Sequence, residues 1–157
     1  MGAIEDRLKN LNIDLPVAAA PVANYVPCVI SGNWLVISGQ VALGDDGKLD
    51  PSHAGKIGAG VSVEAGRAAA RRCAINILAQ AKAALGDLDR IRRCIRLGGF
   101  INVAPGYSQI PPIMNGASDL MVEVFGEAGR HARSTIGVAE LPLDSAVEVE
   151  AWFEIVS

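Results

Sequence analysis

The sequence predicts a two-layer α+β domain, a mixed β-sheet with two helices packed on one face. Three observations carry this. The closing stretch "VEVEAWFEI" sets Val147, Val149, Phe153 and Ile155 against Glu148, Glu150, Trp152 and Glu154 in strict alternation, the period of a strand with one face buried. Ala70, Ala74, Ile77, Leu78, Ala81 and Leu85 recur at helical spacing, and a second apolar stripe follows later in the chain. The order is two or three strands, helix, strand, helix, strand, strand, with enough helix to cover one sheet face and no more.

The chain of 157 residues reads as a single domain over 1–157, with 1–20 as an N-terminal extension. In that extension Ile4, Leu8 and Leu11 predict a short amphipathic helix ahead of Pro16. "VANYVPCVISGNWLVISGQVAL" reads as two β-rich runs turning at Ser31-Gly32-Asn33. "GDDGKLDPSHAGKIGAG" reads as a loop. The first long helix has Ser62 as its cap, Glu64 in its first turn and Gly86 as its stop. "DRIRRCIRLGGFINV" is the next strand, in which Gly98-Gly99 suggests a bulge or a close backbone approach. "PGYSQIPP" reads as a loop, and a second helix is expected from Ser118, with Met121, Val124, Phe125 and Ala128 on one face and Gly129 ending it. The two final strands join through Leu141-Pro142-Leu143-Asp144-Ser145.

Composition narrows the function. At this length folding buries roughly 70% of the unfolded surface, and 50% of the residues are hydrophobic, so a core needs no disulfide or metal. Cys28, Cys73 and Cys94 form no C-x-x-C pair and read as buried free thiols in a reducing compartment. Acids early in "MGAIEDRLKNLNIDLP" argue against a signal peptide, and no apolar run has the length of a membrane span. The expectation is a cytoplasmic protein with no membrane partner. A net charge of −3 disfavours nucleic acid as the main partner. Arg67, Arg71 and Arg72, and Arg90, Arg92, Arg93 and Arg96, read as side chains lying along apolar surface or pairing with acids on a neighbouring subunit.

Few residues suggest chemistry. Arg133 and Glu148 fall on what read as neighbouring strands: an arginine suited to gripping a carboxylate through two parallel hydrogen bonds, and a glutamate able to orient or deprotonate water. From spacing alone a cross-strand salt bridge at the surface is the better explanation. His53 and His131 lack a patterned cysteine or acid, so no metal site is expected. His131 reads as an exposed histidine at a helix end, with a general-base role left open. A wide sheet face carrying Trp152 is rarely bare, which favours self-association.

Arg133-Ser134 opening a strand, Leu141-Pro142 in the turn and "VEVEAWFEI" at the close resemble the Rid (reactive intermediate deaminase, YjgF-type) family. "NYVP", "ISGQV" and "AALGDLDRI" stand in matching order, and the resemblance runs from about Asn24 to the end. It implies a chorismate-mutase-like fold, a homotrimer with small-molecule clefts between subunits, and no cofactor. It also implies hydrolysis of enamine and imine intermediates such as 2-aminoacrylate to 2-keto acids and ammonia. By position Arg133 matches the family's carboxylate clamp, Glu148 its water-positioning acid, Tyr25 its pocket tyrosine, and Ser38 and Gly39 its ligand-contacting pair. His131 replaces a usual proline and Thr135 a frequent cysteine, which marks a divergent branch. The alternatives are a non-catalytic trimer that binds a metabolite carboxylate and, third, RNA cleavage.

Overall fold

The computed structural model describes residues 2–157. Its main sheet has five strands in the order β1-β2-β7-β5-β6: β1 Cys28–Ser31, β2 Trp34–Val41, β5 Ile91–Asn102, β6 Ala132–Val138 and β7 Val147–Ile155. All neighbours are antiparallel except β5 and β6, which run parallel. A parallel pair cannot be closed by a hairpin, and the crossover is the helix α3, Pro111–Phe125. With α2, Val63–Leu85, it covers one face of the sheet, so the two-layer expectation holds. A third helix, α1 at Ala3–Asn10, lies where the Ile4–Leu8–Leu11 spacing put it, with Leu8 buried.

The hairpin turns on Gly32 and Asn33, with Gly32 at φ +57° in the first central position, as a type II′ turn requires. In α2 the Ser62 hydroxyl accepts from the Ala65 N–H and Gly86 leaves the helix at φ +74°; the whole predicted stripe from Ala70 to Leu85 is buried. It packs on Val147, Val149, Ala151 and Phe153, the inward half of the closing alternation.

Three expectations need correction. The glycine-rich loop contains two short parallel strands, β3 Lys56–Ile57 and β4 Gly60–Val61, with Ile57 buried. The second helix begins seven residues before Ser118, because Pro111 and Pro112 are not loop breakers but the first turn of α3, where a missing N–H costs nothing. It ends at Gly126, φ +62°, and Gly129 instead closes a 3-10 turn. A β-carbon on Gly129 would stand 2.0 Å from the Met121 carbonyl oxygen, so this turn folds back hard against α3. Gly98 and Gly99 mark close approaches, to Glu150 and to Met114 respectively, while the bulges of β5 fall nearer its start.

Four arginines of the two runs find acid partners within their own chain. Arg71 pairs with Glu123 at 2.9 Å, Arg72 with Asp45 at 2.5 Å, Arg96 with Glu150 at 3.3 Å and Arg92 with Glu154 at 3.6 Å. Among the described residues no helix is long and apolar enough to cross a membrane.

Candidate functional site

The uncovered sheet face carries Glu148, Glu150, Trp152 and Glu154 on β7. Register adds Arg96, Gly98 and Phe100 from β5, and Trp34 and Val36 from β2. Trp34 and Trp152 meet edge to face at 6.0 Å and remain 44% and 38% exposed. Glu150 and Glu154 are ion-paired. The Glu148 carboxylate has neither an ion pair nor a hydrogen-bond partner among the described residues. Burial, and secondarily the neighbouring Glu150 charge, push its carboxyl above the ordinary glutamate range.

A kink in β2 explains where Glu148 sits. Ile37 faces Ala151 and Gln40 faces Val149, so Ser38 and Gly39 stand opposite the single residue Glu150, the pattern of a β-bulge. The bulge opens a bay beside β7, and the Glu148 carboxylate fills it. A β-carbon on Gly39 would lie 2.2 Å from Glu148 Oε1. Ser38 is turned to structural use: its hydroxyl donates to the Val26 carbonyl at 2.8 Å and its N–H to the Pro27 carbonyl at 2.9 Å. Those two bonds hold the segment that bears Tyr25.

Here, where β1 has ended and the β2 edge is open, lies a cleft of about 530 Å³. Tyr25, Gly39 and Glu148 line it, together with Asn76 and Gln80 of α2 and Leu143 of the final turn. Gln80 donates to the Ala19 carbonyl at 2.8 Å, pinning the N-terminal segment as the cleft's outer wall. Leu143 enters at φ +58°, a conformation that a branched side chain rarely adopts. The lining is largely apolar, with carboxylates at Asp45 and Glu148 and no lysine or arginine. Sequence reasoning missed Asn76 and Gln80 because both read as ordinary polar positions on a helix.

Arg133 is elsewhere. β5 lies between β6 and β7, so Arg133 and Glu148 are not on adjacent strands, and they point to opposite faces. Leu97, the partner of Arg133 in register, is in the core, whereas Phe100, the partner of Glu148, is on the open side. From β7 to β6 is two strand spacings, roughly 10 Å. One protomer therefore makes neither an Arg133–Glu148 salt bridge nor a site containing both.

The arginine is nonetheless built in. Nη1 donates to Asn115 Oδ1 at 2.8 Å and to Ser118 Oγ at 3.1 Å, and Nη2 to the Pro111 carbonyl at 3.3 Å. All three acceptors are neutral and sit on α3, so the charge is uncompensated. Three of five N–H donors are used, which leaves Nε–H and one Nη2–H. On the same face Thr135 presents a buried Oγ1 without a partner. His131 is not the exposed histidine expected. It is half-buried, with Nδ1 2.6 Å from the Gly129 carbonyl and Nε2 2.8 Å from Ser118 Oγ. Burial, opposed by the Gly129 hydrogen bond and aided by the Arg133 charge, lowers its pKa below the ordinary 6.5.

The described residues bring three acids together at Glu5, Asp87 and Asp89, but these are engaged. Asp89 accepts from the N–H groups of Ala3 and Ile4, Asp87 from the Asp89 N–H, and Glu5 pairs with Lys82.

A family model described as YjgF/chorismate mutase-like, with an endoribonuclease label, matches residues 5–155. The chain is 47% identical to Protein TCP17 of Trypanosoma cruzi over 155 residues, 98% of this chain and 95% of that protein. It is 49% identical to Atu1372 of Agrobacterium tumefaciens, a protein of unknown function whose solved structure superposes with a TM-score of 0.89 over 98% of this chain and 92% of that one. A 2-iminobutanoate/2-iminopropanoate deaminase of Dermatophagoides farinae is 29% identical over 139 residues, 88% of this chain and 91% of that enzyme.

Proposed function

The chain belongs to the YjgF/Rid family, and on that footing we propose that it hydrolyses small 2-imino acids, including those that arise from enamines such as 2-aminoacrylate, to 2-keto acids and ammonia. The working form in this reading is a homotrimer. The observation that carries the proposal is a division of labour. A cleft with an unpaired, proton-hungry glutamate and no cation lies at one edge of the sheet. An arginine with two unused donors lies at the other edge, on the opposite face.

A substrate carboxylate has no cation to bind in the cleft of one copy. Docking the β6 edge of a second copy onto the β2 edge supplies the partner subunit's Arg133. Such a contact joins unlike surfaces, and repeated contacts of that kind close into a ring. The same ring covers the Trp34–Trp152 face.

The reaction then needs little from the protein. The partner subunit's Arg133 takes the carboxylate through Nε–H and Nη2–H, Tyr25 and the apolar wall hold the side chain, and Glu148 orients a water on the imine carbon. The water oxygen bonds to that carbon as one of its protons passes to Glu148. Attack on the protonated imine gives a neutral carbinolamine. Glu148 returns that proton to its amine nitrogen, the carbon–nitrogen bond breaks and ammonia leaves, and the hydroxyl proton passes to Glu148 as the carbonyl of the keto acid forms. A carboxyl with a raised pKa suits both the taking and the return of that proton. The deaminase among the relatives supports this chemistry.

The test generates 2-iminobutanoate with an amino-acid oxidase and follows its decay with and without the protein. Acceleration that disappears in Arg133→Ala is expected. Equal decay rates with and without protein, across several amino acids, would leave the carboxylate-binding trimer as the reading to pursue.

A further inference from the structure

Arg133 is held by a chain of hydrogen bonds whose direction can be read. A carbonyl oxygen only accepts, so His131 Nδ1, at 2.6 Å from the Gly129 oxygen, carries the proton. In the neutral ring Nε2 is then an acceptor, and the Ser118 hydroxyl at 2.8 Å donates to it. That leaves the Ser118 oxygen lone pairs for Arg133 Nη1 at 3.1 Å. We propose that His131 and Ser118 form a positioning pair for Arg133, the histidine fixing the serine hydroxyl so that its oxygen faces the guanidinium and sets the aim of the free Nε–H and Nη2–H fork. This rests on the assignment of Arg133 as the group that receives the substrate carboxylate.

Two features of the fold favour the pair over a chance contact. The anchor of the chain is rigid: Gly129 is packed so tightly under Met121 that no other residue fits, so its carbonyl is a fixed acceptor. The serine stands on α3 one turn after Asn115, the other side chain on Nη1. Both Nη1 protons are therefore committed to one helix face, which removes rotation about the terminal guanidinium bond. The depression of the His131 pKa by burial keeps the ring in the neutral form that this direction of bonding needs. The facing groups are Ser118 of α3, the Gly129 carbonyl of the turn and Arg133 of the strand that follows it.

The experiment compares His131→Phe, His131→Gln, Ser118→Ala and the His131→Phe/Ser118→Ala double variant in the full-length protein, each first shown to be folded by its thermal transition. Binding of 2-ketobutyrate is measured by calorimetry and turnover by the oxidase-coupled assay. Loss of one hydrogen bond's worth of positioning predicts a rise in Kd and KM of about five- to tenfold in His131→Phe, with kcat within about twofold. His131→Gln, whose Oε1 can accept from Ser118, recovers most of it. Ser118→Ala matches His131→Phe, and the double variant is no worse than either. Wild-type affinity in His131→Phe, no advantage of Gln over Phe, or additive losses would each overturn the pair.

A second readout needs no ligand: the Arg133 Nη protons should be separately resolved in NMR spectra of the wild type and should average in His131→Phe. If 2-ketobutyrate fails to bind wild-type protein, the carboxylate assignment fails while this signal still reports on the positioning. Unaltered Nη signals in His131→Phe refute the positioning alone.

Discussion

Gly39 and Glu148 are packed so closely that residue 39 has no room for a side chain: its β-carbon would stand 2.2 Å from Glu148 Oε1. The atom in the way is the end of a flexible side chain rather than backbone, so Gly39→Ala should fold and displace the carboxylate instead. Misplacing a reacting group by about an ångström costs up to ~100-fold. We expect kcat/KM to fall by roughly ten- to a hundredfold with a thermal midpoint within a few degrees of wild type. A variant that keeps full activity would show that Glu148 does not act from its present place.

Arg133→Lys tests the fork. Lysine keeps the charge, but its single ammonium cannot replace the planar set of donors that meets Asn115, Ser118 and Pro111 while leaving two N–H groups for ligand. With hydrogen bonds to charged groups worth about 1.5–3 kcal/mol, KM for an imino acid should rise by roughly ten- to a hundredfold. A lysine variant with unchanged KM would mean that charge alone suffices.

The pH profile should report Glu148. Its pKa is raised first by burial and second by Glu150, so activity that needs the carboxylate falls on the acid side at a higher pH than for an ordinary glutamate. Glu150→Gln removes the second cause only. The acid limb of kcat/KM should move to lower pH in that variant without reaching the position of an exposed glutamate. The reverse displacement would show that the limb belongs to another group.

The open sheet face should be an interface. Trp34 and Trp152 form an aromatic pair on a face that no helix covers, and patches of this kind mark contact surfaces. Sedimentation of the wild type should give a particle of three chains. Trp152→Lys buries a charge if that face is covered, and should yield smaller species that lose turnover together with assembly. A wild-type monomer that is fully active would refute the shared cleft.

Periodicity and punctuation in the chain were enough for the layers. The stripe from Ala70 to Leu85, the Ser62 cap, the Gly86 stop and the β7 alternation each follow from local geometry, and each stands in the structure as read. The start of α3 is not legible in the chain, because a proline pair breaks a helix interior yet favours a first turn, and local sequence does not show which position it takes. The candidate residues were legible one at a time, by resemblance, and Tyr25, Gly39 and Glu148 do meet at one cleft. Their relation to Arg133 was not. Strand order is a long-range pairing choice: by inserting β5 between β6 and β7, folding moved the arginine to the far edge and opposite face from the glutamate. Only the tertiary structure could also turn His131 inward, because its burial depends on Gly129 bringing the chain back under α3. The alternation of single residues decides which side of a strand is wet; which strands lie side by side is decided by packing across the whole chain.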